Sequence, residues 1–245
     1  MSEQIEGRNA VLEAFRSGKC VDKLFILDGC QDGPVRTIAR EARRTDTIIN
    51  YVTKERLDQL SETRAHQGVI AQVAAYEYST VDEILARAEE KGEPPFLVLL
   101  DNVEDPHNLG AIIRTAEAVG AHGVVIPKRR SAGLTAAVSK AASGALECVP
   151  VARVTNISAF IDELKGRGVW VYGADMDGEL YTAADLSGPI ALVIGSEGEG
   201  LGRLIKSKCD GIISCPMCGQ VNSLNASVAA GVLMYRVLEC RRIKG

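Results

Sequence analysis

The sequence predicts an α/β chain in two parts, a small α/β unit followed by a larger domain built on a parallel sheet with helices on both faces. Three observations carry that expectation. The runs Phe96-Leu97-Val98-Leu99-Leu100, Gly123-Val124-Val125-Ile126, Val169-Trp170-Val171-Tyr172, Ile190-Ala191-Leu192-Val193-Ile194 and Gly211-Ile212-Ile213 are apolar without alternation, as strands buried on both faces are. Helical patterns at 109–119, 135–143, 157–165 and 201–206 lie between them, which gives strands alternating with helices. Gly92-Glu93-Pro94-Pro95 then makes a stiff break ahead of the first run. The expected divisions are residues 1–76 for the small unit, 77–94 for an acidic linker and 95–245 for the larger domain.

In chain order, residues 5–15 read as a helix with Val11, Leu12, Ala14 and Phe15 inward and Gly18 closing it. Leu24-Phe25-Ile26-Leu27 is a short strand, 34–44 a basic amphipathic helix, and 48–52 and 69–73 two further strands. Arg36, Arg40, Arg43 and Arg44 fall largely on one face of that helix, either as a solvated face or as phosphate contacts. Residues 81–90 form a short acidic helix. At the far end, Ile212-Ile213 finish a strand, Pro216 blocks its continuation, and Ser223 offers a hydroxyl to cap the last helix. Leu224, Val228, Val232, Tyr235 and Leu238 repeat at helical spacing.

A chain of 245 residues can bury one large core or two smaller ones without disulfide staples. No apolar run reaches the roughly 20 residues that span a bilayer, and the acidic start Met1-Ser2-Glu3-Gln4-Ile5-Glu6 lacks a signal-peptide layout. A soluble, cytoplasmic protein with no membrane partner is expected. Seven scattered cysteines imply reduced thiols, and Cys215 and Cys218 make a CxxC with no second pair to complete a zinc site, so no metal is expected. The net charge of −4 resides wholly in residues 76–93, where six acids face two bases, while 1–75 and 94–245 are each balanced. An RNA partner is therefore compatible with the charge, since binding needs a local basic patch.

Ligands of such sheets bind beyond the carboxyl ends of the strands, where three loops stand out. The first is Asp101-Asn102-Val103-Glu104-Asp105-Pro106-His107-Asn108 leading into Leu109-Gly110-Ala111-Ile112-Ile113-Arg114-Thr115-Ala116. The second is Gly195-Ser196-Glu197-Gly198-Glu199-Gly200-Leu201-Gly202. The third runs from Cys215 to Ser227 and sets Ser223, Asn225 and Ser227 beside the free N–H groups of a helix start. The glycines of the second loop miss the GxGxxG spacing, and Glu197 and Glu199 would repel a pyrophosphate, so a dinucleotide site is not expected. His107, beside Pro106 in a loop, reads as a structural or surface residue.

Together, the stretch from Asn108 to Ala116, Gly195-Ser196-Glu197-Gly198-Glu199-Gly200, and Pro216-Met217-Cys218-Gly219 with Ser223-Leu224-Asn225-Ala226-Ser227-Val228-Ala229 resemble the three ordered motifs of the SpoU family of RNA ribose 2′-O-methyltransferases, of the SPOUT superfamily. Gly7-Arg8-Asn9-Ala10-Val11-Leu12-Glu13-Ala14 and His66-Gln67-Gly68-Val69-Ile70-Ala71 resemble the small ribosomal-protein-like RNA-binding domain of members that methylate a guanosine ribose in large-subunit ribosomal RNA. The resemblance implies a deep trefoil knot in the C-terminal domain, an S-adenosylmethionine pocket within it, and a homodimer. It places Gly195, Cys215, Met217 and Leu224 at the cofactor, with Cys215 and Ala226 smaller than the usual aliphatic residues. It assigns activation of the ribose hydroxyl to Arg114 helped by Asn108, with Glu197, Ser223 and Asn225 holding the loops.

The reaction needs alignment and removal of a proton from a weakly acidic alcohol. A guanidinium loses its proton only above about pH 12, so Arg114 acts either as an unusual base or as a clamp on an RNA phosphate. Lys128, Arg129 and Arg130, the densest basic cluster of the larger domain, and Arg8 of the smaller are the expected RNA contacts. Ribosomal RNA is the expected substrate and transfer RNA the runner-up. The other reading is a non-catalytic RNA-binding assembly factor of the same fold, which the intact polar set argues against.

Overall fold

The structure is a computed structural model and describes residues 3–196, 198, 200–220 and 223–244. Its contacts divide the chain into two compact units, Met1–Glu77 with Gly133–Ala137, and Tyr78–Ala132 with Val138–Gly245.

The first unit follows the order β1 (Glu3–Glu6), α1 (Arg8–Arg16), β2 (Val21–Leu27), α2 (Gly33–Arg44), β3 (Ile48–Val52), α3 (Lys54–Leu60) and β4 (Val69–Val73). Its sheet has the order β1-β4-β2-β3, with β2 and β3 parallel and the other neighbours antiparallel. Asp32 starts α2 by accepting from the Val35 amide at 3.1 Å, and Pro34 sits in the first turn where its missing N–H costs nothing. Val35, Ile38, Ala39 and Ala42 then face inward on Val11, Ala14, Leu24 and Ile26. Residues 5 and 6 are strand rather than the first turn of a helix: Ile5 pairs with Ala71 and Glu6 with Ile70. The Glu6 carboxylate also receives the Ser61 hydroxyl and the Glu62 amide, both at 2.6 Å, which ties β1 to the loop after α3.

The second unit contains α4 (Val81–Lys91), β5 (Phe96–Leu100), α5 (Pro106–Ala118), β6 (Gly123–Pro127), a 3-10 turn (Ala145–Glu147), β7 (Val151–Val154), α7 (Ile157–Gly166), β8 (Trp170–Leu180), β9 (Ile190–Ile194), α8 (Arg203–Lys208), β10 (Gly211–Ser214) and α9 (Ala226–Lys244). Helix α6 (Ala136–Ala142) begins in the segment that groups with the first unit. Every strand pair is parallel, in the order β10-β8-β9-β5-β6-β7. All of β5, β6 and β9 is buried, as their uninterrupted apolar runs require. β7, whose Val-Ala-Arg-Val run carries a charge, is an edge strand that the apolar-run criterion passed over.

Residues 77–94 do not form a linker. Thr80 and Glu83 make a reciprocal capping box at the start of α4, and Ile84 and Ala88 are fully buried, Ile84 in one core with Leu97, Leu99 and Val125. Asp82, Glu83, Glu89 and Glu90 occupy the exposed face of a helix that belongs to the second unit, and the break between units falls at Glu77/Tyr78 rather than at Pro94-Pro95. Among the described residues no helix is long and apolar enough to cross a membrane.

Candidate active site

The sheet order reverses between β5 and β9, and the loops leaving β5, β9 and β10 meet beyond their carboxyl ends. The opening itself comes from an interruption of β8. Ile212 of β10 pairs with Gly173 but the next residue, Ile213, pairs with Glu179, so a single step on β10 spans six on β8. The excess, Ala174 to Gly178, bulges from the sheet. Gly178 permits this, because a Cβ there would lie 2.6 Å from the backbone carbonyl of Ile212.

A cavity of about 720 Å3, counting the space at its open mouth, occupies the gap. The bulge supplies Ala174, Asp175 and Met176; the loop after β9 supplies Ile194, Gly195, Ser196, Gly198 and Gly200; β10 and its turn supply Ile213, Ser214, Cys215 and Met217. Ser223, Leu224, Ala226, Ala229 and Leu233 complete it from the start of α9. Gly195 cannot be replaced without moving this loop, since its Cβ would meet the Gly200 carbonyl oxygen at 2.3 Å. Burial pushes the Cys215 thiol up from its ordinary value, so it lines the wall as a small apolar group.

Asp175 fixes the mouth. Its side chain is 5% exposed and pairs with Lys206 Nζ at 2.7 Å, while the Asp177 amide donates to it at 3.2 Å. Burial works to raise this carboxyl, but the Lys206 hydrogen bond and the backbone donors outweigh it and hold it below the usual range. The pair joins the β8 bulge to α8, and Gly200 lies against the carboxylate. Gly173 just before the bulge and Gly178 at its end are the one signal in the residue pattern that could have marked these positions.

A second cavity, of about 900 Å3, is lined by Asn102, Val103, Glu104, Asp105, Asn108, Arg130, Ser196 and Ala226. It shares Ser196 and Ala226 with the first. Asp105 opens α5 by accepting from the His107 amide at 3.0 Å, which sets Asn108 in the first turn, 6% exposed. Asn225 Nδ2 donates to Asn108 Oδ1 at 3.0 Å. The Asn225 Oδ1 in turn accepts from the Ser227 amide at 2.9 Å, the Ser227 hydroxyl at 2.6 Å and the Val228 amide at 3.3 Å. Asn225, not Ser223, is thus the cap of α9, because that helix begins at Ala226 and only the residue directly before it is in register. Beside this cavity, burial raises the Asp101 carboxyl against the pull of Arg130.

Gly195, Cys215, Met217 and Leu224 therefore line one cavity together with Ser223, and Asn108 and Arg130 line the next. Arg114 does not converge with them. It lies six positions after Asn108, about 9 Å along α5 at 1.5 Å per residue, and its exposed guanidinium is 3.5 Å from the Ser143 hydroxyl. Lys128 is half-buried and Arg129 and Arg130 are exposed at the end of β6. In the first unit Arg8 pairs with Asp32 at 2.6 Å and donates to the Gln67 carbonyl at 3.1 Å. Glu197 lies outside the described residues.

The first cavity has apolar walls with loop backbone between them. Among the described residues its one ionised side chain is a carboxylate, and no lysine or arginine lines it. Such a slot suits a flat heteroaromatic ring attached to a cationic chain and opposes a phosphate. Comparison with known proteins identifies the group. Residues 95–235 match the model of the SpoU rRNA Methylase family. The chain belongs to this family. Residues 4–79 match the model described as RNA 2′-O ribose methyltransferase substrate binding. YacO of Bacillus subtilis, named as a TrmH family tRNA/rRNA methyltransferase, is 51% identical over the whole of both chains. The SpoU methyltransferase AviRb from Streptomyces viridochromogenes, solved in complex with the cofactor AdoMet, is 27% identical with a TM-score of 0.62 over 99% of this chain and 91% of that one. The A. aeolicus TrmH/SpoU tRNA modifying enzyme is 29% identical, with a TM-score of 0.58 over 67% of this chain and 85% of its own. As a SpoU methylase, the protein is an RNA methyltransferase that uses S-adenosylmethionine. The cationic sulfonium, the ammonium and the adenine of that cofactor match the charge and the lining of the first cavity.

Proposed function

We propose that this methylase transfers its methyl group to a ribose 2′-hydroxyl, on a guanosine of large-subunit ribosomal RNA. The observation that carries the reading is the contact of two cavities at Ser196 and Ala226, with the Asn108–Asn225 pair where they meet. One cavity holds the cofactor and the other the acceptor nucleotide. When bound, S-adenosylmethionine supplies a methyl carbon on a sulfonium, whose departure as a neutral thioether is easy. Gly195, Cys215, Met217 and Leu224 hold it at the slot, which is set in the knotted part of the domain. Asn108 and Asn225, fixed by each other and by the start of α9, orient the ribose so that its oxygen faces the methyl carbon. Ser223, which lines the slot, holds the turn ahead of α9.

Arg114, exposed and about 9 Å along the helix from Asn108, acts as the phosphate clamp rather than the base. Arg129 and Arg130 grip the backbone with Lys128, and Arg8 of the first unit supports the loop from Asp28 to Asp32 against RNA. The protein works as a homodimer: α9 leaves Val228, Val232 and Tyr235 exposed on one stripe at helical spacing, a face suited to a second copy.

The test is transfer of label from S-adenosylmethionine to a large-subunit ribosomal RNA transcript, with transfer RNA in parallel and Arg114→Ala as control. Label in ribosomal RNA that protects one linkage from alkali, and that drops at least 100-fold in the variant while cofactor binding persists, supports the proposal. Alkali-sensitive label would place the methyl on a base. Label in transfer RNA alone would move the substrate.

A further inference from the structure

The first unit contains a groove that its role in holding the fold together does not explain. β2 and β3 are its parallel pair, and Ile26 of β2 is in register with Tyr51 of β3. The two side chains therefore share a face. Ile26 is fully buried, whereas Tyr51, on the edge strand β3, is 54% exposed. What remains is an open trough between the side of α2 and Tyr51, of about 1060 Å3 counting the open space at its mouth. Val35 and Ala39 of α2 form its apolar floor, Arg36 and Arg43 its rim, Tyr51 the opposite wall, and the loop from Asp28 to Gln31 its end. Arg36 is braced by its hydrogen bond to the Gln31 carbonyl, and Arg44 is drawn away to Glu41 at 2.9 Å.

We propose that this trough binds one unpaired nucleotide of the RNA substrate, with the base stacked on Tyr51 over Val35 and Ala39 and its phosphates held by Arg36 and Arg43. An aromatic wall with an apolar floor takes a base by its face, as single-stranded RNA sites do, and the two arginines supply the backbone contact. The Asp28 carboxylate, which accepts from the Gly29 amide at 2.9 Å through Oδ1, turns its second oxygen to the edge of the base. A duplex cannot enter, since its bases are stacked on one another and not free to lie on the tyrosine. The inference rests on the chain acting on RNA, and it assigns to the first unit a contact with a looped or bulged nucleotide away from the reacting ribose.

The experiment measures binding of the full chain to a fluorescein-labelled 12-nucleotide single-stranded RNA and to the blunt duplex of that strand with its complement, over a range of salt. Tyr51→Leu should weaken the single strand by roughly 5- to 100-fold, the range that loss of one base–aromatic stack produces. Tyr51→Phe should keep most of the affinity, and duplex binding should not change. Arg43→Gln should weaken the single strand and reduce the salt slope by about one contact. A 4-thiouridine in the oligonucleotide should crosslink at Tyr51. Equal affinity of wild type and Tyr51→Leu for the single strand, or no binding of it by wild type at low salt, would overturn the proposal. Binding of S-adenosylmethionine by the same proteins is the separate reading: its loss in wild type would strike at the methylase assignment, while its retention in Tyr51→Leu shows that the variant is folded.

Discussion

Asn225 has two tasks at once, and substitutions can separate them. Its Oδ1 caps a helix that runs from Ala226 to Lys244, and its Nδ2 holds the buried Asn108 at the cavity junction. Asn225→Ala removes both. Loss of the cap costs about 1 kcal/mol, and loss of a hydrogen bond to a buried amide about another 1 kcal/mol, so roughly 2 kcal/mol should go. Asn225→Ser keeps a capping oxygen on a side chain too short to reach Asn108 and should cost about 1 kcal/mol. Urea unfolding of the three proteins, followed by circular dichroism, measures the difference at unchanged m-value. Both variants should lose methyl transfer, because each removes the Nδ2 donor that positions Asn108 Oδ1. If Asn225→Ser proves as unstable as Asn225→Ala, or if neither differs from wild type by more than about 0.5 kcal/mol, the division of labour is wrong.

Gly195→Ala should weaken cofactor binding at least 10-fold by isothermal titration with little change in helix content, because its Cβ would press on the Gly200 carbonyl at 2.3 Å. Asp175→Asn should cost about 2 kcal/mol through the lost charged hydrogen bond to Lys206, and should weaken cofactor binding as the Gly200 segment loosens; unchanged affinity would separate the pair from the cavity. Glu6 gives a pH signature. Burial acts to raise its carboxyl, but donors at Ser61, Thr63 and Glu62 prevail and bring it down to about 2 from an ordinary 4.5. A depressed carboxylate contributes stability above its unfolded value and loses it as pH falls through the folded one. The stability gap between wild type and Glu6→Gln should therefore be full at neutral pH and close between pH 4.5 and about 2; a gap that persists at pH 2 would show that the contact is not ionic.

The parallel sheet was legible because strands buried on both faces must be apolar throughout, as Phe96 to Leu100 and Ile190 to Ile194 are. The polar loops were legible because caps and tight turns draw on few residue types, and Asn108, Ser223 and Asn225 stand at the same sheet edge. Long-range effects were not. Glu3 to Glu6 become strand only because β4 is there to pair with them. The acids of α4 masked a buried stripe of Ile84 and Ala88 that needs a partner surface to be meaningful. The bulge at Ala174 to Gly178 is a matter of register between two strands, which no property of β8 alone reports. The place of Arg114 about 9 Å from Asn108 along the helix follows from arithmetic available in the sequence, but whether that gap is bridged depends on where the RNA phosphate lies.

That bulge also governs how the molecule yields. β10 is an edge strand whose ladder to β8 is broken midway, and the chain leaves it by the turn at Cys215 on its way to α9. β10 is thus fastened to β8 on either side of a gap, at Gly211-Ile212 and at Ile213-Ser214. A molecule wedged into the gap bridges both sides and replaces the missing ladder contacts. Occupancy of the slot is thereby coupled to the pairing of β10 with β8, and amide exchange in β10 and the first turns of α9 should slow when the slot is filled while that of β5 stays as it was.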